Sequence, residues 1–342
     1  MINLFGLSKA DIQKIANENN WPSYRAAQIF EWVYKGIDTI DEMSNLPGLI
    51  REELKNKYYI YQMQIIKKLR ENKTDTVKYL LKTEDNLQIE AVLMNYKHGI
   101  SVCISTQAGC GMACAFCASA KDGMIRNLTA GEMLSQIYAI QKDTNTRVDN
   151  IVMMGSGEPL ANFENTMAFL NLVSDEDTLN ISKRSITLST CGLSDKIYAL
   201  ADSGAGINLS VSLHNPIQSQ REKIMPVAKK YSIDELIKAC SYYTCKTKRR
   251  VTFEYALIEG QNDTSYHAEQ LVRKLKTLNC LVNLIPVNEV EGKEIKKSSE
   301  NNIKNFYDIL TKNNINTTIR RTLGSSINAA CGQLRAGIYK EG

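Results

Sequence analysis

Residues 151–173 read IVMMGSGEPLANFENTMAFLNLV. The stretch starts as a short apolar run, Ile151–Met154, breaks at Gly155, Gly157 and Pro159, and continues from Asn162 to Val173 with apolar residues at three- and four-residue spacing. A buried strand, a turn and an amphipathic helix account for that order.

The same alternation extends in both directions. Apolar, β-rich runs occur at 185–188, 207–212, 251–257, 281–286 and 317–320. Candidate helices lie at 129–142, 194–201, 233–244, 266–278 and 300–312. About six βα units in succession predict a parallel sheet, open or curled into a full or partial barrel, in an α/β fold. Functional groups of such sheets gather at the carboxyl ends of the strands.

Before this repeat the pattern changes twice. From Ser8 to Tyr58 the spacing is helical and is broken at Pro22 and Pro47, as in a small helical domain. From Ile60 to about Leu93 it alternates, with a turn at Glu84–Asn86, which predicts a β-hairpin. The expected layout is a helical accessory domain over 1–58, a linking hairpin over 59–95 and a catalytic α/β unit over 96–342.

Hydrophobic residues make up 43% of the chain and charged residues 23%. No stretch approaches the roughly 20 apolar residues of a membrane span, and the first residues lack a secretory pattern. A cytoplasmic, reducing setting is expected, where nine cysteines suggest metal or redox chemistry at a few positions rather than a disulfide framework. The net charge of +5 is too small to imply nucleic acid by itself. Local clusters exist at Lys67, Lys68 and Arg70, at Lys183 and Arg184, at Lys246, Lys248, Arg249 and Arg250, and at Arg320 and Arg321, any of which could equally be a solvated face.

Cys110, Cys114 and Cys117 form a C-x3-C-x2-C loop after the apolar run 101–105, with Gly109, Gly111 and Ala113 allowing a tight wrap. Three thiolates so spaced can hold three irons of a [4Fe–4S] cluster and leave the fourth open to a chelating ligand, such as the amino and carboxylate groups of S-adenosylmethionine (SAM). A zinc site would need a fourth ligand. With Phe116 before the last cysteine, the motif resembles the signature of the radical SAM superfamily. The Gly155–Pro159 loop is similar to the superfamily's "GGE" loop, which implies that Gly157 and Glu158 receive the SAM amino group. Ser189 and Thr190, then Ser212, Leu213 and His214, and finally Asn288 end later strands and suit a ribose, an adenine or a sulfonium.

These motifs, the run Arg126–Glu132 and the terminal A-A-C-G-Q-L around Cys331 resemble the RlmN/Cfr family of ribosomal-RNA adenine methyltransferases over nearly the whole chain. Tyr24, Arg25, Ala26 and Trp32 fit the family's RNA-contacting N-terminal domain. Ser156 stands where the family more often has methionine or isoleucine.

The resemblance implies a specific chemistry. The adenine C2 carbon has no nucleophilic lone pair, so simple transfer from a sulfonium is not feasible. Two SAM molecules are consumed per turnover. One methylates Cys331, and the second is cleaved to a 5′-deoxyadenosyl radical that takes a hydrogen from that methyl. The methylene radical adds to adenine, and the crosslink is resolved by Glu90 as base and by Cys103 attacking the Cys331 sulfur with disulfide formation. The other cysteines, Cys191, Cys240, Cys245 and Cys280, are read as packing or surface residues.

The implied partners are 23S rRNA, tRNA and a reductant such as flavodoxin, with a monomeric enzyme and no membrane. Glu158-Pro159-Leu160 and Ser189–Gly192 look more like the RlmN branch, acting at C2, than the Cfr branch, acting at C8. Outside the family, a non-catalytic iron–sulfur or zinc RNA-binding protein would explain the basic clusters and the three cysteines but has no use for Cys331, Cys103 or the Gly155–Pro159 loop, and a radical SAM enzyme acting on a peptide would lack RNA binding.

Overall fold

The structure, a computed structural model, describes residues 1–97, 99–121, 123–287, 295–320, 323–329 and 332–334, with the side chain of Ser325 excepted. Asn288 and Cys331 lie outside the described residues.

The chain opens with β1 (Ile2–Asn3), α1 (Lys9–Glu18), α2 (Tyr24–Tyr34) and α3 (Gly48–Lys57). Ser8 starts α1 through a reciprocal cap: its hydroxyl accepts from the Asp11 N–H, and the Asp11 carboxylate accepts from the Ser8 N–H. The apolar face of α2, formed by Ala26, Ile29, Phe30 and Val33, is buried. β2 (Tyr58–Tyr59) pairs in parallel with β1 and ties the end of the helical part to its beginning.

Two glycines let this part dock closely on the rest. A Cβ on Gly6 would meet the Gly131 Cα at 2.6 Å, and one on Gly131 would meet the Phe5 carbonyl oxygen at 2.5 Å. Backbone therefore lies on backbone, and the Tyr138 hydroxyl donates to the Tyr34 carbonyl at 2.8 Å beside this contact.

β3 (Gln64–Glu71), β4 (Thr76–Lys82) and β5 (Gln88–Tyr96) follow as an antiparallel meander. The expected hairpin with its turn at Glu84–Asn86 is β4–β5, and a third strand, β3, precedes it. These strands do not stand apart from the α/β unit, because β5 pairs antiparallel with β6 (Gly99–Cys103) and so extends the main sheet.

A small ribbon, β7 (Gln107–Gly109) with β8 (Met124–Asn127), brackets the cysteine loop. After it come α4 (Ala130–Thr144), β9 (Asn150–Met153), α5 (Phe163–Ser174), β10 (Ile186–Thr190), α6 (Ser194–Asp202), β11 (Asn208–Ser212) and α7 (Gln218–Ile224). The chain continues through α8 (Ile233–Thr247), β12 (Val251–Leu257), α9 (Ser265–Leu275), β13 (Cys280–Pro286), α10 (Glu300–Lys312) and β14 (Asn316–Ile319). The expected alternation is present, with boundaries shifted by a few residues. The short α7 was not legible, since QSQREKI carries almost no apolar stripe.

The ten-stranded sheet runs β14-β13-β12-β11-β10-β9-β6-β5-β4-β3, parallel from β14 to β6 and antiparallel beyond. Laid flat, ten strands at about 4.8 Å spacing would separate its edges by roughly 43 Å. Yet Gly324, five residues after the last residue of β14, hydrogen-bonds to Glu71 at the end of β3. Five residues reach at most about 17 Å. The sheet must therefore curl until its edges approach, as a partial barrel does, and the chain after β14 crosses the open seam.

Candidate active site

Within the curl, at the carboxyl ends of the parallel strands, lies a cavity with about 950 Å³ of empty space, part of it open to solvent. Cys110, Cys114, Cys117, Gly157, Glu158, Ser189, Ser212 and His214 all line it. Gly332, next to Cys331 in sequence, lines it as well.

The cysteine loop is shaped by its backbone. Gly109 sits at φ +77°, where a Cβ would overlap the Gly123 carbonyl, and the Cys110 N–H donates to that same oxygen at 2.9 Å. Ala113 takes φ +54° between the first two cysteines. Among the described residues no three His, Cys, Asp or Glu side chains converge tightly enough for one metal ion; the three thiols ring a wider space instead.

The donor set fits an iron–sulfur cluster. Burial pushes the Cys114 thiol well up, and the neighbouring Cys117 and Cys110 push it further. Burial likewise lifts Cys110 to about 11, against N–H groups of Met112 and Gly157 that favour its thiolate. Three thiolates gathered here need positive charge among them, which cluster iron supplies. Arg221 adds to that field. It is fully buried, lowers the Cys114 thiol's pKa, and has an Nη1 without a hydrogen-bond partner among the described residues. Its remaining nitrogens donate to the carbonyls of Leu213 (3.1 Å), Cys191 (2.8 Å) and Ser212 (3.2 Å), pinning the ends of β10 and β11 together.

The Gly155–Glu158 loop is locked onto the segment after β6. Gly155 N–H donates to the Ile104 carbonyl, Ser156 N–H to the Ser105 hydroxyl, and Glu158 N–H to Gln107 Oε1. Gly157, at φ +109°, has no room for a side chain, since a Cβ would stand 2.7 Å from the Gln107 nitrogen. Ser156 does more than fill space: its Oγ lies 3.1 Å from Ser119 Oγ, which donates to the Leu334 carbonyl. Glu158 is buried, and its oxygens accept from the N–H groups of Cys191 (2.7 Å) and Leu160 (3.0 Å). Burial raises its pKa, and those donors oppose the rise.

His214 holds the third loop. At φ +56°, its Nδ1 accepts from the Ala256 N–H at 2.9 Å, which leaves the proton on Nε2. Its ring packs edge-on against Phe116, with centroids 4.5 Å apart. Burial drives its pKa down to about 3, with the Arg221 charge helping, so the ring is neutral at physiological pH.

Other expected residues stand differently. Leu213 is fully buried and does not line the cavity; its backbone serves the site by receiving Arg221. Glu90 and Cys103 are not among the lining residues. Glu90 is 3% exposed and ion-paired to Lys78 at 2.9 Å, and Cys103 is buried in an apolar group with Val92, Met94 and Leu334. The register Val92↔Cys103 places Glu90 and Cys103 on the same face of the sheet, because i and i+2 share a face and paired residues point together. No disulfide joins any described cysteines, so the expected Cys103–Cys331 pairing finds no support here, Cys331 being outside the described residues.

Cys191, read from sequence as packing or surface, belongs to the cavity wall. So does Glu254, which the sequence did not flag; it accepts from Ser210 Oγ at 2.8 Å and Asn283 Nδ2 at 2.9 Å, near Arg320 at 3.9 Å. Cys240 and Cys280 are buried and Cys245 is exposed, as packing and surface residues should be. Several cations of the basic clusters are engaged within the protein: Lys68 pairs with Asp143, Arg70 with Asp75 and Lys246 with Asp202. The Arg126–Glu132 run is a structural clamp in which Arg126 grips both Glu132 and Asp85.

A cysteine-ringed cavity at the strand ends of a partial parallel barrel defines a radical SAM enzyme, and the radical SAM superfamily model matches residues 104–275. The model for the ribosomal RNA large subunit methyltransferase N-terminal domain matches residues 2–60. The chain belongs to the RlmN family of dual-specificity RNA methyltransferases. It is 50% identical over 340 residues to a probable dual-specificity RNA methyltransferase RlmN from Clostridium tetani, covering 99% of this chain and 97% of that one. The probable RlmN of Alkaliphilus oremlandii is 51% identical over 334 residues, covering 98% and 97%. A crystal structure of a radical SAM methyltransferase from Sphaerobacter thermophilus superimposes with a TM-score of 0.91 at 39% identity, over 97% of this chain and 99% of that one. No described helix is long and apolar enough to cross a membrane.

Proposed function

We propose that this enzyme methylates C2 of an adenosine in 23S rRNA, of the position 2503 type, and of adenosine 37 in tRNAs. The observation that carries the reading is the meeting of three elements around one cavity: the cysteine loop, the Gly155–Glu158 loop and the C-terminal segment at Gly332.

Cys110, Cys114 and Cys117 hold the [4Fe–4S] cluster. Gly157, Glu158, Ser189, Ser212, Leu213, His214 and Asn288 bind SAM, Leu213 through its backbone. Bound here, the cluster and SAM would supply one-electron chemistry able to abstract a hydrogen atom. Neutral His214, with its Nε2 proton, offers a donor that does not compete with the sulfonium for charge. Cys331 carries the methyl group to the adenine, Glu90 takes the proton from the base, and Cys103 attacks the Cys331 sulfur to release the product. Two SAM molecules are used per turnover, one for Cys331 and one for the radical.

Support for these roles comes from the ends of the C-terminal segment. The Ala118 N–H, one residue past Cys117, donates to the Gly332 carbonyl at 2.7 Å, and Leu334 packs with Cys103. Lys78 holds the Glu90 carboxylate and also donates to the Asn328 carbonyl at 3.2 Å. The target base is splayed into the cavity mouth, as enzymes acting on stacked bases require, and the enzyme works as a cytoplasmic monomer with an electron donor of the flavodoxin type.

The test is mass spectrometry of adenosines from a 23S rRNA fragment, after anaerobic incubation with the reconstituted enzyme, methyl-deuterated SAM and a reductant. A 2-methyladenosine keeping two of the three deuteriums is expected. 8-Methyladenosine would refute C2 specificity, and full retention of deuterium would refute the methylene route.

A further inference from the structure

We propose that Glu71, at the tip of the antiparallel arm, is a positioning residue for methyl transfer: it tethers segment 323–329 and so fixes the approach of the chain that carries Cys331. The inference rests on the reading of Cys331 as methyl carrier.

The Glu71 carboxylate accepts from the N–H of Gly324 (2.8 Å), the N–H of Ser326 (3.0 Å) and the hydroxyl of Ser326 (2.5 Å), and from the hydroxyl of Thr74. These donors hold its pKa down to about 2, the Ser326 hydroxyl foremost, so the grip persists throughout the working range. The tethered segment is itself folded into a tight loop. Gly324 lies at φ +71°, and its carbonyl accepts from the N–H groups of Ala329 (2.8 Å) and Ile327 (3.3 Å). A Cβ on Gly324 would stand 2.8 Å from Ala329 Cβ and 3.1 Å from Thr76 Cγ2, so the loop sits directly against β4.

The partners on the two sides of the carrier differ in kind. Downstream, Gly332 and Leu334 are held by Ala118 and Ser119, neighbours of the cluster loop. Upstream, the tether is Glu71, with Lys78 donating to Asn328, and both residues come from the arm rather than from a barrel strand end. A partly exposed carboxylate that gathers backbone N–H groups contributes little to global packing but much to local order. Positioning and stability can therefore be separated by experiment.

Glu71→Ala, with Ser326→Ala as a milder second variant, is compared with the wild type in the full reconstituted chain by hydrogen–deuterium exchange and by product ratio. Exchange of residues 323–329 is expected to rise about tenfold in Glu71→Ala while the βα core is unchanged, since charge-assisted bonds to those amides are lost. The ratio of 5′-deoxyadenosine formed to adenosine methylated is expected to rise severalfold with an unchanged KM for RNA, and Glu71→Asp should restore part of the coupling. Unchanged exchange at 323–329 would overturn the tether, and faster exchange with an unchanged ratio would overturn its positioning role. Failure of the wild type to methylate adenosine would instead refute the functional reading, and the exchange comparison would still judge the tether.

Discussion

His214 makes stability fall on mild acidification, and the effect can be sized from its surroundings. The ring is 4% exposed, its Nδ1 is occupied by the Ala256 N–H, and Arg221 lies close, so its pKa falls from 6.5 to about 3. In the unfolded chain the same imidazole titrates near 6.5. Between about pH 6.5 and 3 the unfolded state therefore binds a proton that the folded state refuses. Stability is full above pH 6.5 and is lost as pH falls, by about 1.4 kcal/mol per pH unit once below it. From pH 7 to pH 5 the loss from this one residue is about 2 kcal/mol.

The variant that isolates the effect is His214→Asn. Asparagine tolerates positive φ better than most residues, and its Oδ1 can accept the Ala256 N–H, so the loop keeps its backbone and its cap while losing the titrating group. Urea unfolding of the metal-free full chain, followed by the fluorescence of Trp21 and Trp32, is measured at pH 7 and pH 5. The wild type should lose about 2 kcal/mol more than the variant over that interval. Equal losses would mean that His214 accepts a proton in the folded state, and the neutral, Nε2-protonated ring assigned to the cavity wall would be wrong.

Three further outcomes are expected. Single Cys→Ala changes at Cys110, Cys114 or Cys117 should each abolish the cluster's visible absorbance and iron content after reconstitution, whereas Cys245→Ala, at an exposed position, should leave both unchanged. Gly157→Ala forces a Cβ to 2.7 Å from the Gln107 nitrogen at φ +109°, at a cost on the order of 1–3 kcal/mol; thermal unfolding should register it, with SAM affinity by calorimetry falling alongside. Arg221→Met fits the buried slot but leaves the carbonyls of Leu213, Cys191 and Ser212 without their donor. A loss of about 3 kcal/mol is expected in urea unfolding.

The parts of the molecule that were legible in sequence are those whose meaning is local. Strands β9 to β13 each bury apolar residues such as Ile151, Leu188, Val211, Phe253 and Val282 and so stand out as short apolar, β-rich runs between helices, and the Cys110–Cys117 loop declares its chemistry by spacing. The alternation of β4 and β5 was also visible, but the pairing of β5 with β6 is a long-range choice that no local pattern encodes. The same limit explains the residues that were missed or misjudged. Arg221 sits in a short polar helix and matters because three distant carbonyls converge on it. Glu254 and Cys191 were lost within apolar or small-residue runs, and only the curl of the sheet turns them toward the cavity. Leu213, by contrast, sits in a motif whose neighbours do face the cavity, while its own side chain turns into the core.

The antiparallel arm gives that curl a purpose. A parallel sheet places its functional loops at one end but leaves two unpaired edges, here β14 and β3. Closing the seam with a continuous backbone ladder would seal the barrel wall, whereas the chain after β14 crosses to Glu71 and is held there by a single carboxylate and a lysine. Side-chain tethers of this kind open at lower free-energy cost than a strand ladder, which local-unfolding behaviour makes the natural source of motion. The described stretch 323–329 is thus fastened by side chains, where the parallel strands of the cavity wall are fastened by backbone ladders. If Cys331 is the methyl carrier proposed above, a group that must meet SAM, a nucleotide and a second thiol in turn is well mounted beside such a stretch, whose flanking loop is fixed firmly enough to return to the same approach each time.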